Sequence, residues 1–250
     1  MMELSKRLYT VASAVSPGCR VADIGTDHGY IPIYLVKNKY APRAFAMDVN
    51  QGPLERAREH ILEEGLTSQI ETRLSNGLLQ LEPEEVDAVV IAGMGGSLIC
   101  RILETSPEFL QTGKELILQP QSEWFKVRHL LHRRGYSIKK EWFLEEEGKY
   151  YVVIKGCPLP EGETERYEDE FSYVYGKLLL DERNPVLLAY MQKECAKKES
   201  ILAQMKAQTE EKETEDNPAD AIRKEKRGRR MGELEEEIKN CRAYIHGADS

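Results

Sequence analysis

Short runs of apolar residues alternate with longer stretches in which apolar positions recur every three or four residues, over the first 155 or so residues of the chain. The short runs read as strands at Arg20–Ile24, Arg43–Val49, Ile70–Ser75, Asp87–Ala92 and Glu115–Gln119, with two more close together at Tyr136–Leu144 and Tyr150–Lys155. The longer stretches predict helices at Glu3–Val15, Tyr30–Asn38, Pro53–Glu63, Ser97–Glu104 and Glu123–Arg134. Runs such as VADI and AVVIA are apolar on both faces, as a strand covered by helices on each side must be. Strand and helix in alternation predict an α/β fold with a parallel, doubly wound, Rossmann-like sheet. The link Glu145–Lys149 is too short for a crossover helix, so the last two strands are expected to be antiparallel neighbours.

A breaker-rich segment, Gly156-Cys-Pro-Leu-Pro-Glu-Gly162, follows the last strand. It is read as a domain boundary, with one domain over residues 1–157 and a second over 158–250. Beyond it only helical periodicity remains. Leu187, Leu188, Met191, Cys195, Leu202 and Met205 share one face. Asn217 is placed to cap a further helix that starts at Pro218. In that helix Met231, Leu234, Ile238, Cys241 and Ile245 step by three, four, three and four, which is a heptad seam. Two such helices predict an antiparallel coiled-coil hairpin.

Composition narrows the function. Of 250 residues 41% are hydrophobic and 31% charged, and the formal net charge is −8. A uniformly basic nucleic-acid domain is excluded, although a local patch is not. The run from Arg223 to Arg230 holds six basic residues against one acid. It reads either as a solvated helical face or as a phosphate-contacting patch. No apolar run approaches the roughly 18 residues of a membrane span, and no signal peptide is evident, so a cytoplasmic location is expected. The five cysteines form no CxxC and read as free thiols. His129 and His132 lie on one helical face without further zinc ligands nearby, which predicts a solvated or capping role.

The first strand runs into Asp23-Ile-Gly25-Thr26-Asp27-His28-Gly29-Tyr30. The dinucleotide fingerprint G-x-G-x-x-G is absent. A pyrophosphate over this turn would sit about 4–6 Å from a carboxylate and be repelled by several kcal/mol. S-adenosylmethionine carries an ammonium and a sulfonium instead, so Asp23 and Asp27 favour it. Asp48 follows Asp23 by 25 residues, at the place where an acid can hold both ribose hydroxyls, with Val49 beside it. Asn76 is placed to meet an adenine edge, and Gly77 to let the backbone approach. Ala92-Gly93-Met94-Gly95-Gly96-Ser97 allows close approach of a flat substrate, with Ser97 as a candidate helix cap.

VADIGTDHGYIP, the acid in MDVN, LSNGL, IAGMGG, LILQPQ and the GKYYVV strand, in this order, resemble the bacterial TrmK-type tRNA (adenine(22)-N1)-methyltransferases. The resemblance covers nearly the whole chain. It implies a seven-stranded class I methyltransferase sheet with an α-helical coiled-coil C-terminal domain. The implied activity is methyl transfer from S-adenosylmethionine to N1 of an adenine in the tRNA D-arm. Two departures from the general class I pattern stand out. Asp27 occupies the place of a glycine in the first turn, and Ala92-Gly-Met-Gly-Gly96 replaces an Asp/Asn-Pro-Pro-Tyr motif. Adenine N1 has an in-plane lone pair and needs no base. The expected contributions are therefore acceptors for its exocyclic amine (the carbonyls of Ala92 and Gly93, or Gln119 or Gln121), electrostatic support from Asp27, and stacking by Tyr30, Met94 or Tyr150. The residues leave two other readings open, a methyltransferase for a small molecule or protein and a non-catalytic cofactor-binding adaptor.

Overall fold

The computed structural model describes residues 3–210 and 218–247, with side chains outside 209–224. Asn217 and its expected cap lie outside the described residues. Helix α1 (Lys6–Ala14) leads into β1 (Val21–Ile24), α2 (Tyr30–Lys37), β2 (Ala44–Asp48), α3 (Gln51–Glu63) and β3 (Ile70–Leu74). After a short 3-10 turn come β4 (Ala88–Met94), α4 (Gly96–Glu104), α5 (Pro107–Gln111), β5 (Glu115–Pro120) and α6 (Trp124–Arg133). The sheet ends with β6 (Tyr136–Glu146) and β7 (Lys149–Pro158).

All seven strands join one sheet in the order β3-β2-β1-β4-β5-β7-β6. The first five are parallel, whereas β7 runs antiparallel to both β5 and β6. The order reverses between β1 and β4, so the crevice at their carboxyl ends is where such a sheet takes a ligand. Every residue of β1 is buried, as are Ala88–Ile91 of β4, which is what helices on both faces require. Glu147 and Gly148 both have positive φ in the tight turn of the β6–β7 hairpin. Leu118 pairs with Ile154, so Lys149–Tyr151 run past Pro120, the end of β5, on the crevice side.

Two compact units are present, Met1–Glu182 and Arg183–Ser250. Residues 158–182, assigned by the breaker to the second domain, belong to the first unit. They carry α7 (Glu170–Tyr175) and α8 (Lys177–Asp181). Side chains of α6 hold them. Arg128 donates to the carbonyls of Tyr173 and Val174 at 2.7 and 3.0 Å. His129 stacks on the Tyr173 ring at 3.6 Å, and His132 Nδ1 shares a 2.9 Å hydrogen bond with the Tyr173 hydroxyl. The expected solvated or capping role for these two histidines is corrected: one helical face carries both, and tertiary packing covers that face.

The second unit consists of α9 (Pro185–Glu210) and α10 (Pro218–His246). Asn184 Oδ1 accepts from the backbone N–H groups of Val186 and Leu187 and caps α9. Ion pairs Arg242–Glu199, Lys198–Glu237 and Lys206–Glu235 step backwards along α10 as they step forwards along α9 from Lys198 and Glu199 to Lys206, so the pair is antiparallel. Leu187, Met191 and Cys195 are buried with Leu234, Ile238 and Cys241, the expected seam. Among the described residues no helix is long and apolar enough to cross a membrane.

Candidate functional site

The first turn is built by β2. The Met47 carbonyl accepts from both Gly25 N and Thr26 N, at 2.8 and 2.9 Å, and curls the chain back after β1. Gly25 has φ +78, and a Cβ there would meet Met94 Cε at 2.1 Å, so the methionine of the β4 loop lies directly over the first turn. Gly29, in the left-handed region, caps α2. Asp23 is buried, and that burial, with the charge of Asp48 adding, pushes its carboxyl up to about 6. The neighbouring Thr26 hydroxyl works the other way without forming a full hydrogen bond. Thr26 Oγ1 and His28 Nδ1 are buried without a partner among the described residues. Buried polar atoms are normally satisfied, so these two mark a place for a polar ligand.

Asp48 ends β2 with Oδ1 accepting from Asn50 N at 2.7 Å, while Oδ2 has no partner among the described residues. Val49 beside it is 59% exposed, an apolar side chain open to the crevice mouth. The loop after β3 is ordered by Ser75, whose backbone N–H donates to Asp48 O and whose hydroxyl donates to Gly77 O. Gly77 has φ +63, and a Cβ there would press on Ile102 at 3.0 Å. Asn76 is exposed at the same turn. A diol, a flat apolar ring and an amino cation are the chemistry this donor set suits, and S-adenosylmethionine carries all three.

The three glycines of the β4 loop have three separate reasons. Gly93, φ +79, sits where the β4–β5 register shifts between Ala92 and Met94. Gly95 is the N-cap of α4. A Cβ on Gly96 would lie 2.6 Å from Glu123 O and 2.7 Å from Ser122 O, so the close approach of two backbones excludes any side chain. Ser97 is not the cap. It is the second residue of α4, its N–H donates to Glu123 Oε2, and its hydroxyl accepts from Lys126 Nζ. These bonds, the Lys126 ammonium first, hold the Glu123 carboxyl down at about 2.

Two expected roles change. Gln119 is fully buried, with Oε1 accepting from Arg7 Nη1 and Gly93 N and Nε2 donating to Pro120 O. It has no acceptor left for a substrate amine. Asp27 is 63% exposed and paired with Arg56 Nη2 at 2.7 Å, so its carboxylate already has a cationic partner from α3. The electronegative character of the crevice rests instead on Asp23 and Asp48. Gln121 is exposed beside Gly93. Tyr150 is half-buried and stacks on Phe143 in the hairpin. Tyr30 and His28 form a near-parallel cluster with His60, whose Nδ1 donates to His28 O. Arg7, Arg56 and His60 were not foreseen; each comes from an element remote in sequence, and none carries a local motif.

A family model described as a methyltransferase domain matches residues 4–154. The tRNA (adenine(22)-N(1))-methyltransferase of Bacillus subtilis (strain 168) is 39% identical over 209 residues, covering 82% of this chain and 86% of that protein. The crystal structure of Streptococcus pneumoniae Sp1610 in complex with S-adenosyl-L-methionine matches with a TM-score of 0.81 and 32% identity, covering 98% of this chain and 100% of that one. The structure of M. capricolum TrmK with S-adenosyl-homocysteine matches with a TM-score of 0.78 and 30% identity, covering 98% of each chain.

Proposed function

This chain belongs to the TrmK family of tRNA (adenine(22)-N1)-methyltransferases, and we infer that it transfers a methyl group from S-adenosylmethionine to N1 of adenine 22 in tRNA. One observation carries the reading beyond family membership. Met94 of the β4 loop closes over Gly25 of the first turn, which puts the candidate target loop against the candidate donor loop at the reversal point of the sheet.

Bound S-adenosylmethionine supplies an electrophilic methyl on a sulfonium. Asp23, Thr26 and His28, with Gly25, Gly29 and Tyr30, are the residues that would hold its amino-acid end. Asp48 would take the ribose through its unpartnered Oδ2, and Val49, Asn76 and Gly77 would border the adenine. Ala92, Gly93 and Met94 would separate donor from target base. The N1 lone pair of adenine is unprotonated at neutral pH, so no side chain is needed as a base. What the protein contributes is alignment, worth about 7–11 kcal/mol in a well-oriented pair. The target base must leave its stack to enter the crevice.

The test is methyl incorporation from labelled S-adenosylmethionine into a transcript tRNA. The wild type should label a transcript with adenosine 22 and not one in which that position is guanosine. Asp48→Ala should weaken cofactor binding by about 1–3 kcal/mol, the loss of a charged hydrogen bond, read by calorimetry. Retained cofactor with no incorporation into any tRNA would return the adaptor reading.

The basic run of α10 is the proposed second tRNA contact. Its side chains are partly engaged: Arg227 donates to Gln208 O, Arg229 pairs with Glu233, and Arg230 pairs with Glu233 and Glu237. Exposed pairs of this kind are weak and exchange readily for phosphate. Replacing Arg227, Arg229 and Arg230 together by Gln should lower tRNA affinity, flatten its salt dependence and leave cofactor affinity unchanged. An unaltered tRNA Kd would make the run a solvated face. A tRNA substrate would be met in the cytoplasm, which supports the expected location.

A further inference from the structure

Arg7 reaches the crevice from α1, and its guanidinium pairs with no carboxylate among the described residues. Nη1 instead donates to Gln119 Oε1 at 2.9 Å, and the guanidinium lies 5.6 Å from the centre of the Tyr151 ring. The first turn of α1 is tied to the β6–β7 hairpin, by Arg7 N donating to Glu146 Oε1 and Lys6 Nζ donating to Glu145 O, both at 3.2 Å. Arg7 is therefore held in place by its own backbone as well as by its side chain.

Gln119 Oε1 takes a second hydrogen bond, from Gly93 N at 3.1 Å. This is the point at which the β4–β5 register shifts, so a side-chain amide stands in for a strand neighbour. The Ala92–Gly93 peptide is trans, and in a trans peptide N–H and C=O point in opposite directions. With the Gly93 N–H turned towards Gln119 on β5, the Ala92 carbonyl turns away from β5, to the side of β1 and Gly25.

An amide side chain can present either end to its surroundings, but an arginine can only donate. Arg7 thus joins the Gly93 N–H and the Pro120 carbonyl in fixing which end of Gln119 is oxygen, and its bond is the shortest of the three. Without Arg7 only the Gly93 N–H and a 3.3 Å bond from Nε2 to Pro120 O hold that orientation, and the shortest of the three bonds on the amide is lost. Sequence separation of 112 residues hides this bracket from any local pattern.

We propose that Arg7 is a positioning residue for the target base: through Gln119 it sets the Ala92–Gly93 peptide so that the Ala92 carbonyl accepts a hydrogen bond from the exocyclic amine of adenine. The role rests on the adenine-methyltransferase reading above. It also explains how an Ala-Gly-Met-Gly-Gly loop, which has no side-chain acceptor of its own, recognises an amino group.

The experiment compares single-turnover methylation of two tRNA transcripts, one with adenosine at position 22 and one with purine riboside, which keeps the N1 lone pair and lacks the amine. Intrinsic reactivity differences cancel when variants are compared by the ratio of the two rates. Arg7→Met, which keeps the stem over Tyr151, should lower the rate on adenosine about tenfold and leave the purine rate nearly unchanged, so the ratio falls about tenfold, the worth of one hydrogen bond. Its Kd for S-adenosylmethionine should match the wild type, and Arg7→Lys should recover part of the ratio. A purely structural role would lower both rates and cofactor affinity together. Should Arg7→Met fail to fold, Gln119→Leu removes the bracket from its other end and is read by the same ratio. A wild-type ratio in the folded variant overturns the role of Arg7. If the wild type methylates neither transcript, the functional reading itself fails, and this role with it.

Discussion

Asp23→Asn is expected to make the ligand-free protein more stable and at the same time poorer at binding S-adenosylmethionine. Burial raises the Asp23 carboxyl from 3.8 to about 6. The raised value means that the folded protein holds a proton which the unfolded chain releases. Favourable linkage is complete below about pH 4 and is lost as the pH rises through 6. Above that the ionised group opposes folding by up to about 3 kcal/mol, from roughly two pH units at 1.36 kcal/mol each. Asparagine has no charge to bury. The stability difference between variant and wild type, from urea unfolding, should therefore grow between pH 4 and pH 7 and then level off.

Binding should show the opposite sign. Only the ionised carboxylate attracts the amino cation, so wild-type affinity should fall as the pH drops through 6. Asp23→Asn should bind more weakly by about 1.5–3 kcal/mol at pH 7, with little pH dependence over that range. A destabilising carboxylate at the mouth of β1 is the kind of local conflict that ligand binding relieves. If the variant is less stable at pH 7, or binds the cofactor as tightly as the wild type, Asp23 has no such role.

The second large effect lies outside the crevice. Arg128 and Glu141 form an ion pair with no side-chain exposure at either partner, Nε to Oε1 at 2.7 Å. Burial raises the Glu141 carboxyl despite the neighbouring guanidinium. Arg128 Nη2 and Glu141 Oε2 have no hydrogen-bond partner among the described residues. Gly176 leaves them room: a Cβ there would lie 2.6 Å from Oε2 and 2.8 Å from Nη2. Removing one member strands the other, so Arg128→Met should destabilise by about 3–5 kcal/mol in urea unfolding. Loss of the Tyr173 and Val174 carbonyl contacts should also free residues 158–182, visible as faster proteolysis near the Gly156–Gly162 breaker. Arg128→Met combined with Glu141→Leu should recover most of the loss, because no unpaired charge remains. Equal destabilisation in the single and double variants would show that the pair's charge is not what matters.

Much of this architecture is written locally. Strands β1, β2, β4 and β5 are legible because buried parallel strands are apolar on both faces, and the coiled-coil seam from Met231 to Ile245 because its period is 3.5. The antiparallel hairpin follows from the length of one link. Short helices are another matter. Pro107–Gln111, Glu170–Tyr175 and Lys177–Asp181 carry five or six residues each, too few for a period to emerge. They exist because distant residues bury them. The breaker at Gly156–Gly162 reads as a boundary for the same reason: the contacts that bind the following 20 residues to the first unit come from Arg128, His129 and His132, up to 46 positions away.

The site divides along the same line. Glycines at 25, 29, 77 and 93 announce themselves because a positive φ or a close backbone approach admits nothing else, and acids at strand ends because the sheet delivers them to one crevice. Residue type and spacing along the chain therefore determined the fold class and the cofactor, and the family followed from the resemblance of its motifs. Tertiary structure alone decided which polar groups are still free to act there. Arg56 neutralises Asp27, and Gln119 is taken up by Arg7 and Gly93. The physical reason is that hydrogen bonds and ion pairs saturate, and a partner more than 20 residues away leaves no mark in local periodicity.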